Sequence, residues 1–278
     1  MGLPQELVEC IVNILQADLG ALKACSLTCK SIFASTRHLI HRTLCVTKEA
    51  NRRIFTPAEE KQYAQGDRSG LGLRFLSFMA EHDLLKYARH LNICMGSKFS
   101  PYMIEPHLQH FQSLDRIDTL TIDSYNPVRW CAAYDTYFTQ FHPTLTTLIL
   151  RFPAGHHRCV LQFALQFPNL QNLTLDTVWF QTWVWSGISV PPLVSQSPPL
   201  RGHFRCLGLK QTDATWLREF AFGLPNGINF RSIELRDIYW KEGQQILDGC
   251  VNTVEEFTMH IIDDGEELVP SFIPYNRD

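Results

Sequence analysis

The sequence lacks any run of 18 or more apolar residues, which excludes a membrane-spanning helix on length. It also lacks an excess of positive charge. Its 25 basic residues stand against 28 acidic ones, for a formal net charge of -3, whereas a protein held by phosphate neutralisation needs the opposite balance. Nucleic acid is therefore not expected as the main partner. The nine cysteines are an odd number without the paired short spacings of a disulfide scaffold, so reduced thiols and a cytoplasmic or nuclear location are expected. Glu9 and Asn13 interrupt the apolar residues from Leu7 to Leu15, and neither a basic flank nor a small-residue cleavage pattern accompanies them; no signal peptide is expected. The Asn172-Leu173-Thr174 sequon then has no glycosylation to receive.

The motifs that carry chemistry are missing as well. There is no Gly-x-Ser-x-Gly elbow and no kinase-type residue set. Gly70-Leu71-Gly72 has neither a full GxGxxG after a strand nor the Gly-Lys-Ser/Thr ending of a phosphate loop. Cys25-x3-Cys29 followed by His38-x2-His41 imitates a four-ligand zinc set, but the middle spacing is much shorter than the usual dozen or so residues. His156-His157 beside Cys159, and Glu81-His82-Asp83, have no HExxH-like partner motif and read as solvated loop residues. No catalytic residue, metal or cofactor is predicted, and the chain is expected not to be an enzyme.

What the sequence does have is the composition of a globular protein, 45% hydrophobic and 19% charged, over a 278-residue length that suits a small domain followed by a larger one. Pro4 suits a first helical turn, and Leu7, Val8, Ile11, Ile14 and Leu15 recur at helical spacing. Asp18 can cap a second helix carrying Leu22, Cys25 and Cys29, and Ile32, Phe33, Leu39 and Ile40 mark a third. Such a cluster of three short helices has little core of its own, so a partner or the following domain is expected to cover part of its apolar surface.

Leu3-Pro4-Gln5-Glu6-Leu7, Ile11, Leu15, Leu22, the stretch Ala24-Cys25-Ser26-Leu27-Thr28-Cys29 and Leu39-Ile40-His41-Arg42 resemble an F-box, most closely those of the F-box-like proteins of mushroom-forming (basidiomycete) fungi. The resemblance covers roughly the first 45 residues. It implies docking on the Skp-type adaptor of a cullin-RING ubiquitin ligase, through Leu3, Pro4, Leu7, Val8, Ile11, Leu15, Leu22 and Ile32. Ile32 is a smaller anchor than the Trp that many members carry about there. The alternative is that the same apolar stripe packs only against the rest of this chain.

Residues 46–84 shift toward charge and glycine. Thr56-Pro57-Ala58-Glu59-Glu60 reads as a helix start, Gly66-Asp67-Arg68-Ser69-Gly70 as a loop, and Leu73, Leu76, Phe78 and Met79 as a packing helix, making this segment a helical linker.

From residue 85 to the end, one pattern returns: an apolar residue, two intervening positions, then apolar-x-apolar. It occurs at Ala88, Leu91, Ile93; Ile117, Leu120, Ile122; Leu145, Leu148, Leu150; Leu170, Leu173, Leu175; Phe204, Leu207, Leu209; Phe230, Ile233, Leu235; and Val254, Phe257, Met259. The middle residues are separated by roughly 29, 28, 25, 34, 26 and 24 residues, near the period of leucine-rich repeats. The longest gap holds a Pro- and Ser-rich insertion around Ser189–Pro199. Each copy predicts a short strand, and Val160–Phe167 and Ala214–Ala221 predict helices between strands. The expected fold is thus α/β: a three-helix head, then an irregular leucine-rich-repeat solenoid of about seven parallel strands with outer helices, and a charged turn, Asp263–Glu267, leading to the tail.

Residues alternating with the inward apolar positions should line the open sheet face. These include His90, Asn92, Thr121, Asp123, Ile149, Arg151, Asn172, Thr174, Asp176, Lys210, Glu234, Arg236, Thr258 and His260. Such a face can bind a protein substrate or simply be solvated. The aromatics Trp179, Phe180, Trp183, Trp185, Trp216, Tyr239 and Trp240 are either a second contact surface or filling between layers. The resulting expectation is a non-catalytic substrate receptor of an SCF-type ligase, linked through its adaptor to a cullin. The competing one is a stand-alone repeat scaffold whose helical head caps the first repeat.

Overall fold

The computed structural model describes residues 4–15, 18–28, 30–47, 79–95, 114–124, 138–151, 154–155, 157–176, 179–180, 200–207, 227–238 and 240–261. Among them, three short helices precede an α/β body built on one open sheet.

The head is α1 (Gln5–Leu15), α2 (Leu19–Ser26) and α3 (Lys30–Ile40). Leu7 and Val8 donate their N–H groups to the Pro4 carbonyl at 3.1 and 3.2 Å, so the chain enters α1 with its proline in the first turn, where a missing N–H costs nothing. Asp18 caps α2 by accepting from the Ala21 N–H at 2.9 Å. The three helices meet over Val8, Val12, Leu22 and Ile32, with Leu15, Cys25, Leu39 and Ile40 packed around them. Thr36 is fully buried in α3 because its hydroxyl donates to the Ile32 carbonyl at 2.9 Å. One expectation changes here. Leu7 and Ile14 do not join the inward stripe; Val8, Val12 and Leu15 supply it.

The chain leaves α3 directly into β1 (Thr43–Thr47), which pairs in parallel with β2 (His90–Met95). Then follow β3 (Thr119–Ser124), β4 (Thr147–Arg151), a short β5 (Ala154–Gly155), α4 (His157–Leu165), β6 (Asn172–Asp176), a short β7 (Trp179–Phe180), β8 (Leu200–Leu207), β9 (Ile228–Ile238), α5 (Trp240–Cys250) and β10 (Glu256–Ile261). The sheet order is β1-β2-β3-β4-β6-β8-β9-β10, eight parallel strands in chain order, while β5 and β7 form a separate pair. Each strand is laid beside the previous one, so every connection must return to the same end of the sheet.

Two rows of side chains cross the whole sheet on its inner face. One runs Leu44, Leu91, Leu120, Leu148, Leu173, Phe204, Ile233, Phe257; the other runs Val46, Ile93, Ile122, Leu150, Leu175, Cys206, Leu235, Met259. All are buried except Phe257 and Met259 at the last strand, which are only partly covered. Phe138, Phe141, Phe163 and Phe167 extend this core beside α4, with ring centroids 5.2 to 5.9 Å apart.

A repeated backbone device sets the register. Arg89 and His90 both donate to the Arg42 carbonyl, Asp118 and Thr119 to that of Arg89, Thr146 and Thr147 to that of Asp118, and Gln171 and Asn172 to that of Thr146, all at 2.8 to 3.2 Å. The turn opening each of these strands is thereby tied to the turn before it, and the inward residues follow at fixed positions.

Two sequence expectations need correction. First, β1 is a strand that none of the seven copies contained, and it straddles the boundary drawn at residue 45. Second, the fifth copy lies three residues earlier than expected. Phe204 and Cys206 point inward, whereas Leu207 belongs to the opposite face and Leu209 lies outside the described residues. A buried cysteine acts as a small apolar residue, so the apolar pattern held two competing registers there. Most of the expected aromatic group lies outside the described residues. Trp240 is exposed at the start of α5, Trp179 and Phe180 form β7, and Trp183, Trp185, Trp216 and Tyr239 lie outside the described residues. The expected helix Val160–Phe167 corresponds to α4. The expected features at Thr56–Glu60, Gly66–Gly72, Ala214–Ala221 and Asp263–Glu267 lie outside the described residues.

Candidate interaction surface

Because the strands pair in register, the outer face carries three rows. The first runs Thr43, His90, Thr119, Thr147, Asn172, His203, Ser232, Glu256. The second runs Cys45, Asn92, Thr121, Ile149, Thr174, Arg205, Glu234, Thr258. The third includes Asp123, Arg151, Asp176, Leu207, Arg236 and His260. Every sheet-face residue named from the sequence lies in these rows, except Lys210, which is outside the described residues. His203, Arg205 and Leu207 were missed because the fifth copy was read three residues late. The alternation Arg201, His203, Arg205 against Phe204 and Cys206 is the signal that finds them.

Charge on this face is held in pairs. The Glu234 carboxylate takes Arg205 Nε at 2.5 Å on one oxygen and Arg236 Nε at 2.7 Å on the other. The Arg205 hydrogen bond, reinforced by Arg236, holds this carboxyl below the usual range. Arg151 lies 3.9 Å from Asp176. Burial, with the nearby Asp176 charge, pushes the neighbouring Asp123 carboxyl up, against the pull of Arg151. At the other end of the face His90 is pushed down by burial and by Arg42, although Asp118 lies 3.6 Å away and acts in the opposite sense. Asn172 donates its amide to Thr147 Oγ1 at 3.1 Å.

These contacts have two consequences. Each guanidinium keeps roughly half its side chain exposed, so Arg151, Arg205 and Arg236 retain donors for a partner while their orientation is fixed by the carboxylates beside them. Glu234 also contributes to stability. A carboxyl whose folded value is depressed adds stability above its unfolded value, about 4.3, and that stability is lost as pH falls through the lower folded value. Urea midpoints at pH 7 and pH 3 should therefore fall further for the native chain than for Glu234→Gln; an equal fall in both would remove Glu234 from the acid response.

Two thiols, Cys45 and Cys250, have the opposite character to activated nucleophiles. Burial raises Cys45 and pushes Cys250 up to about 11.

The helical head offers a second surface. Of the residues expected to face a partner, Val8, Leu22 and Ile32 are instead buried in the head's own core, and Leu15 is half-buried against it. Four short apolar side chains must come together for the helices to hold, and this need turns them inward. Pro4 is exposed, Leu7 is 52% exposed and Ile11 is half-buried; Leu3 lies outside the described residues. Ile14 at 78%, Leu27 at 88% and Phe33 at 43% were not singled out as partner-facing, although they are among the most exposed large apolar side chains. Arg37 of α3 stacks over Tyr87 at 5.4 Å and over Phe33 at 5.8 Å, tying the head to the start of the sheet. No family model matches the chain, and no curated protein matches it either.

Proposed function

We propose that this chain is a non-catalytic substrate-receptor subunit of an SCF-type cullin-RING ubiquitin ligase. In this reading the three-helix head is an F-box-like domain that docks on a Skp-type adaptor and through it a cullin. The body is an irregular leucine-rich-repeat solenoid whose outer sheet face binds a protein substrate. Ubiquitin transfer belongs to other subunits, and this chain supplies proximity by raising the substrate's effective concentration. A cytoplasmic or nuclear location follows from that role, and no helix among the described residues is long and apolar enough to cross a membrane.

One observation carries the reading: a three-helix head with Leu7, Ile14, Leu27 and Phe33 exposed leads directly into eight parallel strands in chain order. Large apolar side chains on so small a head are what a docking surface requires. The outer face, with its oriented arginines and hydrogen-bonding threonines and asparagines, offers polar recognition. The stand-alone scaffold draws support from a different observation, the packing of α3 on Tyr87 through Arg37, which suits a head that caps the first strand.

The two readings separate in a pull-down of purified Skp-type adaptor by the intact chain and by Leu7→Asp/Ile14→Asp. Both substituted positions are exposed, so the variant should keep its circular dichroism spectrum. Capture by the intact chain and at least a roughly tenfold loss in the variant is the expected result. Capture that the variant leaves unchanged would mean that this surface is not the docking site.

A further inference from the structure

We infer that the β10 edge is a self-association surface, on which two copies of this chain pair antiparallel about Thr258 to continue the sheet. The two ends of the sheet differ. At the first strand, Leu44 and Val46 are buried, whereas at β10 the equivalent Phe257 and Met259 are only partly covered and Ile261 is exposed. Among the described residues the core is less fully covered at this end. Among the described residues only β9 lies beside β10. An unpaired strand edge is a ready template for another strand, and folded proteins usually guard it with lysine, proline or a bulge within the strand. β10 contains neither lysine nor proline, and its register shifts only at its end, between His260 and Ile261.

The direction of the backbone groups selects the register. In β2, β3, β4 and β6 the residue opening the strand, His90, Thr119, Thr147 or Asn172, donates back to the turn before the preceding strand. Backbone direction alternates along a strand, so the inward residues offer their N–H and C=O to the following strand. At β10 the equivalent groups of Phe257 and Met259 face the open edge. A two-fold axis through Thr258 pairs Phe257 of one copy with Met259 of the other, twice, and so satisfies all four groups on each chain. The same register brings Glu256 opposite His260 on the outer face, again twice, and Thr258 opposite itself, at non-hydrogen-bonded positions where Cα atoms approach to about 4.5 Å. The edge is thus complementary to itself in hydrogen bonding, in apolar contact and in the Glu–His pairing. That is the requirement for an isologous contact.

Sedimentation of the full chain across roughly 1–100 μM tests this. The native chain should show a reversible dimer. Thr258→Lys should be monomeric with an unchanged circular dichroism spectrum, because the new ammonium meets its own copy across the axis while lying beside Glu234 of its own sheet. Glu256→Lys should weaken the dimer by about tenfold, and adding His260→Glu should restore it by reversing the pair. A native chain that stays monomeric over the whole range overturns the inference, as does a dimer that folded Thr258→Lys retains, or a Glu256→Lys defect that the reversed pair leaves unrepaired.

Discussion

Gly202→Ala should destabilise the folded chain by roughly 3–5 kcal/mol, an effect large enough to leave a marginally stable protein mostly unfolded. Gly202 sits in β8 at φ +81°, a left-handed conformation costly for a residue with a Cβ. The added carbon would also lie 2.0 Å from the Gln171 carbonyl oxygen and 2.9 Å from its carbon. Neither atom is free to move, since that oxygen accepts the His203 N–H at 2.7 Å and so fixes where β8 begins its pairing with β6. Gly227 provides the control. It too has a positive φ, 68°, but a Cβ there meets nothing within 4 Å, so Gly227→Ala should cost only the conformational preference, about 1–2 kcal/mol. Equal losses in urea denaturation of the two variants would show that the close approach to Gln171 is not what constrains position 202.

The second large effect tests the register of the same strand. Phe204 and Phe230 stack with ring centroids 5.0 Å apart and planes inclined by 16°, both fully buried. Phe204→Ala should cost about 3–5 kcal/mol by removing apolar contact and leaving a cavity. A double-mutant cycle with Phe230→Ala should recover a coupling of about 0.5–1.5 kcal/mol from the ring pair. Leu207→Ala, three residues on, should cost less than about 1 kcal/mol because its side chain lies on the outer face, only half-buried. The sequence-based reading, with Leu207 inward as well as Phe204, requires a core-sized loss of about 2–5 kcal/mol at Leu207 too. Thermal unfolding of the two single variants therefore separates the registers.

That misplacement shows where sequence legibility ended. Where three apolar residues stood at the repeating positions, as in Leu145, Leu148 and Leu150, the copy located the strand and its inward face, because burial on one side of a strand leaves a period of two. At β8, the strand of the fifth copy, the inward pair is Phe204 and Cys206, while Leu207 and Leu209 offered a more leucine-like alternative. Composition cannot choose between them; the bond from His203 to the previous turn does. The first strand escaped for a related reason. Leu44 and Val46 fit the pattern, but the position leading them is His41, not an apolar residue.

In the head, helical spacing located the helices but could not choose between two adjacent stripes on α1. Val8, Val12 and Leu15 follow one, and Leu7, Ile11 and Ile14 the other. Only packing against Leu22 and Ile32 decides which stripe is buried and therefore which is left exposed. On the sheet face, alternation revealed who shares the surface, yet it could not reveal that Glu234 is clasped by two arginines from β8 and β9. That pairing depends on neighbours 29 residues apart in one case, Arg205 and Glu234, and on the register that brings them together.

The central claim is that the exposed apolar stripe of the head serves a Skp-type adaptor. Its most direct test is a calorimetric titration of purified adaptor into the intact, folded chain. A saturable one-to-one complex with Kd of about 1 μM or tighter is the expected result. No heat and no co-elution at adaptor concentrations of about 100 μM would contradict it and leave the head as the cap of the sheet's first strand.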